Sequence, residues 1–162
     1  MKTATIFFFI LLFGVVFHNF SLATHLRAGE ITVKRVGFSP NQFDITVTVY
    51  TDTESGVKFG GNQQDGLDVL DFGDGTKFII PETNSSPYSG DNTVGIATYT
   101  IRHSYGPGRY LISYREPNRN DRVLNMTNSV LTTFYIETLL NNEPVAICNN
   151  TPRLKVPPID RG

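Results

Sequence analysis

Asp71-Phe72-Gly73-Asp74-Gly75-Thr76 and His103-Ser104-Tyr105-Gly106-Pro107-Gly108-Arg109-Tyr110 are the stretches that decide the fold. The first reads as a strand running into a tight turn. Asp-Gly is the dipeptide a short hairpin favours, because positive φ is needed at its central positions. The second reads as a strand, a Gly-Pro-Gly turn and a new strand opening on tyrosine. A strand that reverses at glycine and soon meets another reversal implies antiparallel neighbours. The starting expectation is therefore an all-β, antiparallel chain.

Residues on either side extend that reading. Over 43–50, Phe43, Ile45, Val47 and Val49 alternate with Asp44, Thr46, Thr48 and Tyr50. Period two puts the two sets on opposite faces. Ile31 and Val33 mark an earlier strand over 30–36, joined through Gly37-Phe38-Ser39-Pro40-Asn41. Further strands are predicted over 67–72, 77–80, 97–105, 110–115, 123–126 and 134–139. In 97–105, Ala97, Tyr99, Ile101 and His103 oppose Thr98, Thr100 and Arg102. The polar stretches 51–66 and 81–92 read as loops, the first interrupted by Gly60-Gly61. Loops held by a rigid frame are where contacts concentrate. Neither an internal repeat nor a helix beyond the leader is evident.

The paired motifs resemble those of the PKD domain. The family's first motif is Trp-x-Phe-Gly-Asp-Gly, met here by Phe72, Gly73, Asp74 and Gly75 with Leu70 at the tryptophan position. Its second, His-x-Tyr followed by Pro-Gly-x-Tyr, is met by His103, Tyr105, Pro107, Gly108 and Tyr110. The resemblance covers roughly residues 30–115. It implies an immunoglobulin-like (PKD-type) antiparallel β-sandwich, here with an additional C-terminal hairpin. It also implies a spacer or contact module rather than an enzyme. The chain further resembles the N-terminal region of secreted Bacteroidetes-type proteins sorted by the gliding-motility-associated type IX route. That likeness rests on Ala23-Thr24-His25-Leu26-Arg27-Ala28-Gly29-Glu30-Ile31, Tyr114-Arg115-Glu116-Pro117-Asn118-Arg119-Asn120 and Phe134-Tyr135-Ile136-Glu137-Thr138, with the exit Val156-Pro157-Pro158-Ile159-Asp160.

The leader fits such an address. Lys2 precedes an apolar run over 6–17, and Ser21-Leu22-Ala23 presents a cleavage signature. Residues 1–23 are expected to be a signal peptide. A spanning helix would need about 20 apolar residues, so no membrane insertion is expected after cleavage. Residues 24–140 are expected to form the sandwich. Residues 141–162 read as an extended Pro-rich linker, leading into a further downstream region. The chain has 162 residues, a net charge of −1 and a pI near 6.3. That balance gives nucleic acid no electrostatic reason to bind. The single cysteine, Cys148, reads either as a small buried hydrophobe or as half of a disulfide with a partner outside this chain.

Candidate chemistry is sparse. Asp65, Asp68, Asp71 and Asp74 recur every third residue, and Asp65 with Asp68 are weak calcium candidates. His18, His25 and His103 lack metal-ligand spacing. No serine sits in a nucleophile elbow. Tyr99, Tyr110 and Tyr114 could form a sugar-stacking strip, although their spacing favours the core. Three Asn-x-Ser/Thr sequons, at Asn84, Asn125 and Asn149, are incidental in a bacterial product. No cofactor and no catalytic residue is assigned. The expectation is a non-catalytic structural or adhesive module at the cell surface, contacting protein or glycan. Its alternative is a glycan-binding accessory module of a secreted polysaccharide-active system.

Overall fold

A computed structural model describes residues 26–53, 58–61, 67–117, 119, 120, 123, 125–144 and 150–155. Its strands, in chain order, are β1 (Leu26–Arg35), β2 (Gln42–Asp52), β3 (Val69–Asp71), β4 (Lys77–Ile79), β5 (Ser86–Tyr88), β6 (Asp91–Ser104), β7 (Arg109–Glu116) and β8 (Phe134–Asn141). They form two four-stranded antiparallel sheets, ordered β1-β2-β6-β5 and β4-β3-β7-β8. The architecture is that of an immunoglobulin-like β-sandwich. The chain changes sheet between β2 and β3, between β4 and β5, and between β6 and β7.

Alternation builds the core. Phe43, Ile45, Val47 and Val49 of β2 are fully buried, as are Leu70 of β3 and Ile112 and Tyr114 of β7. Ile31, Val33, Phe134 and Leu140 join them, and Phe78, Tyr99, Ile101, Tyr110 and Ile136 pack around the margin. Each large apolar side chain buried this way contributes on the order of 1.5–3 kcal/mol.

Several boundaries differ from the sequence reading. β1 begins at Leu26 rather than residue 30, because Leu26 is itself a core residue and its carbonyl accepts from Asn120 N–H. Within the predicted loop 81–92, Ser86–Tyr88 forms β5 and β6 already starts at Asp91. The polar, Ser- and Asn-rich composition of 81–92 points to a loop, yet β5 is an edge strand, which also tolerates the missing N–H of Pro87. The predicted loop 51–66 is pinned by Phe59, fully buried and bridged to Thr83. Of the two strands expected beyond residue 115, Phe134–Asn141 forms β8 and pairs with β7. Of the predicted strand 123–126, the described residues Val123, Asn125 and Met126 lie in the connection between them. That connection turns at Asn128 (φ 51°) into a short 3-10 helix, Ser129–Leu131. Asn-rich sequence favours such left-handed turns over strand.

Candidate contact groove

The two motifs meet across the sandwich. The β3–β4 hairpin carries Phe72, Gly73, Asp74 and Gly75, and the end of β6 carries His103 and then Tyr105. Asp71 and Asp74 close the hairpin: Gly73 N–H donates to Asp71 Oδ1 (2.9 Å), and Thr76 donates to Asp74 Oδ1 from both N–H (2.9 Å) and hydroxyl (2.6 Å). His103 Nε2 lies 2.7 Å from Asp74 Oδ2, and its ring stacks on Phe72 at 4.0 Å. The buried Tyr105 hydroxyl donates to the Phe72 carbonyl at 3.0 Å. Tyr110 folds its hydroxyl back onto the Gly106 carbonyl (3.2 Å), bracing the turn that holds Pro107 and Gly108. Asn142, just beyond β8, donates to the Tyr105 and Gly106 carbonyls. These residues form a clasp between sheets, its carboxylates and hydroxyls bonded within the fold.

Burial pushes the Asp74 carboxyl upward, but hydrogen bonds from Thr76 and His103 outweigh it and bring the pKa down to about 2. The carboxylate is therefore an acceptor, and His103 Nε2 is the donor. A folded pKa below the unfolded one stabilises the fold above about pH 4, and that stabilisation is lost as pH falls through about 2. Comparing acid unfolding of the wild type with Asp74→Asn should show a stability gap near neutrality that closes between pH 4 and 2. A gap independent of pH would contradict the assignment.

The other predicted candidates fall elsewhere. Asp68 is fully buried with a positive φ of 59°, 3.5 Å from the Tyr114 hydroxyl. That hydroxyl donates to the buried Glu116 at 2.6 Å. Asp65 and Cys148 lie outside the described residues. Among the described residues, no three potential metal ligands converge. Tyr114 is in the core, with Tyr99 and Tyr110 at its margin, so these three do not form a surface strip.

Among the described residues, a surface feature with room for a ligand is the outer face of the β1-β2-β6-β5 sheet. Register puts Thr32, Thr46 and Thr100 in one row across three strands, and Glu30, Thr48 and Thr98 in the next. Thr46 and Thr100 share a hydrogen bond of 2.9 Å between hydroxyls. One end of the face is apolar: Ala28, Tyr50 and Val94 are buried there against Tyr88 and Ile96. The other is charged: Arg102 grips Asp44 with two hydrogen bonds, 2.9 and 3.2 Å, holding that carboxyl below its usual range.

Residues 150–155 make the wall. Val33 N–H donates to Thr151 Oγ1 (2.7 Å), and Thr151 N–H returns a bond to the Val33 carbonyl (3.3 Å). Arg35 N–H donates to Asn150 Oδ1 (3.3 Å), and Leu154 N–H to Glu30 Oε2 (3.0 Å). The segment thus covers the outer edge of β1, which would otherwise invite strand pairing. It also stands over the threonines and encloses a groove of about 850 Å³. Burial, reinforced by Glu30 and Tyr88 and opposed by Arg153, raises the Tyr50 phenol pKa. Tyr50 therefore stays a neutral donor at physiological pH. A second, smaller hollow of about 480 Å³ lies at one end of the sandwich, beside the fully exposed Phe38 and Pro40, Pro107 and Pro144.

The sequence reading had already separated Thr46 and Thr48, and Thr98 and Thr100, from the core face. Their adjacency required the β2–β6 register. The wall had no local signal, since 150–155 carries no alternation. No family model, curated protein or solved structure matches the chain.

Proposed function

We propose that this chain is a non-catalytic structural and adhesive module of a surface protein, working outside the cell with the threonine groove as its contact surface. The observation that carries the reading is the contrast between the two candidate regions. The clasp around Asp74 and His103 turns its polar groups inward to hold the sheets together. The groove presents a row of hydroxyls on a rigid sheet, with the partly buried Tyr88 at one end. Rigid strands position such groups at low entropic cost. The export-type leader and the PKD resemblance support this location, and the same resemblance argues for contact over chemistry.

The test is binding of the labelled full chain to envelopes of the cells that produce it. Thr48→Arg, which fills the groove floor, is the comparison. Saturable binding that weakens at least tenfold in Thr48→Arg is expected. No binding, or binding indifferent to the substitution, would overturn the reading.

A further inference from the structure

The groove's charge distribution narrows what it holds. Both of its carboxylates are occupied: Asp44 by Arg102, and Glu30 by Leu154 N–H. Its cations are not. Among the described residues, Lys34, Arg153 and Lys155 line the groove and make no ion pair. Beneath them run Thr32, Thr46, Thr48, Thr98 and Thr100, whose side chains each carry a hydroxyl and a methyl group. Tyr50 and Tyr88 close one end. The arrangement joins a floor of donors and acceptors, small apolar patches and cations along one wall. We infer that the groove binds an acidic polysaccharide, a polyhydroxylated chain bearing carboxylates. The threonines meet its hydroxyls and the partly exposed Tyr88 a ring face, and Arg153, Lys155 and Lys34 meet its carboxylates.

The ligand class follows by elimination as well as by fit. An apolar ligand would leave the threonine hydroxyls desolvated and unpaired. A nucleic acid, with its denser backbone charge, would demand a wider basic field than Lys34, Arg153 and Lys155 offer. The chain's net charge of −1 also makes the proposal sharp, because retention by a polyanion must come from a local site.

This inference rests on the groove being the contact surface, and its test separates the two. The full chain is run in native gels containing polygalacturonate, and in parallel gels containing neutral dextran. Expected is retardation by polygalacturonate and not by dextran, weakening as salt rises from about 50 to 500 mM. The pair Arg153→Glu/Lys155→Glu should reduce the apparent affinity at least tenfold. The near-isosteric pair Thr46→Val/Thr100→Val, which suits strand geometry, should reduce it about three- to tenfold. Circular dichroism of each variant confirms the fold. Equal retardation by dextran, or none in either gel, would overturn the acidic-polysaccharide assignment. So would retention lost with the cations but untouched by the threonine pair, since that is surface charge alone. If groove-dependent envelope binding persists while polygalacturonate retention fails, the contact surface stands and the ligand class falls.

Discussion

Gly73→Ala is expected to destabilise the protein by about 3 kcal/mol or more, while Gly75→Ala, two residues on, costs about 1–2 kcal/mol. Both glycines have positive φ, 77° and 91°. Both substitutions therefore incur the left-handed penalty of an L-residue. Only at Gly73 is the space already filled. A Cβ there would sit 2.4 Å from the Leu111 carbonyl oxygen and 2.9 Å from the Leu111 backbone nitrogen. Those are backbone atoms of β7, so no rotamer change relieves the clash. The hairpin would have to lift off the sheet, loosening Asp74 from His103. Around Gly75 nothing lies within 4 Å. Urea or thermal unfolding of the two variants measures the difference directly. Equal losses would show that the hairpin does not sit against β7 as described.

The second large effect is expected at Tyr114. Its ring is fully buried and meets Phe59 edge-on at 5.5 Å. Truncation to alanine should cost about 3–5 kcal/mol through the cavity alone. The hydroxyl adds a separable part. It donates to Glu116, which is 1% exposed, so Tyr114→Phe removes a hydrogen bond from a buried carboxyl group. About 1–3 kcal/mol is expected for that change. Burial, with Glu116 and Asp68 nearby, drives the phenol pKa strongly upward, so it remains a donor across the working pH range. A double-mutant cycle with Glu116→Gln isolates the bond: a coupling of at least about 0.5 kcal/mol is expected. Strict additivity would contradict the assigned contact.

Much of the fold was legible because the strands alternate cleanly. In β2, Phe43, Ile45, Val47 and Val49 point inward and are buried, while Asp44, Thr46, Thr48 and Tyr50 point outward; the alternation breaks only at the strand's end, where the inward residue is the buried polar Thr51. The motif residues were legible as a turn and a strand end, but not as a single object. Asp74 and His103 are 29 residues apart, and only the packing of one sheet on the other brings them within 2.7 Å. β5 was hidden by the polar, Ser- and Asn-rich composition of 81–92, because an edge strand of three residues needs no apolar alternation. The strand expected at 123–126 failed for the opposite reason: Val123 and Met126 are apolar, while Asn125 and Asn128 favour turns. Tyr99, Tyr110 and Tyr114 went to the core and its margin, as their spacing favoured.

The groove was half legible. Its threonines were assigned to the polar faces of two separate strands, and a sheet register is a long-range property that no local pattern encodes. Its wall was read as an extended linker. Proline-rich sequence forms neither helix nor sheet ladder, yet Asn150 and Thr151 use side chains to satisfy the β1 edge. Side-chain-to-backbone pairing of that kind leaves no periodic signature.

The groove as contact surface is the claim on which the functional account turns. Its most direct test is an NMR titration of the full chain with oligogalacturonate, following backbone amides. The account expects the largest shifts at Thr46, Thr48, Thr98 and Thr100 and along 150–155, with the amides of Gly37, Phe38 and Gly108 unmoved. Shifts concentrated instead around Phe38 and Pro107 would place the contact at the end of the sandwich and contradict the account.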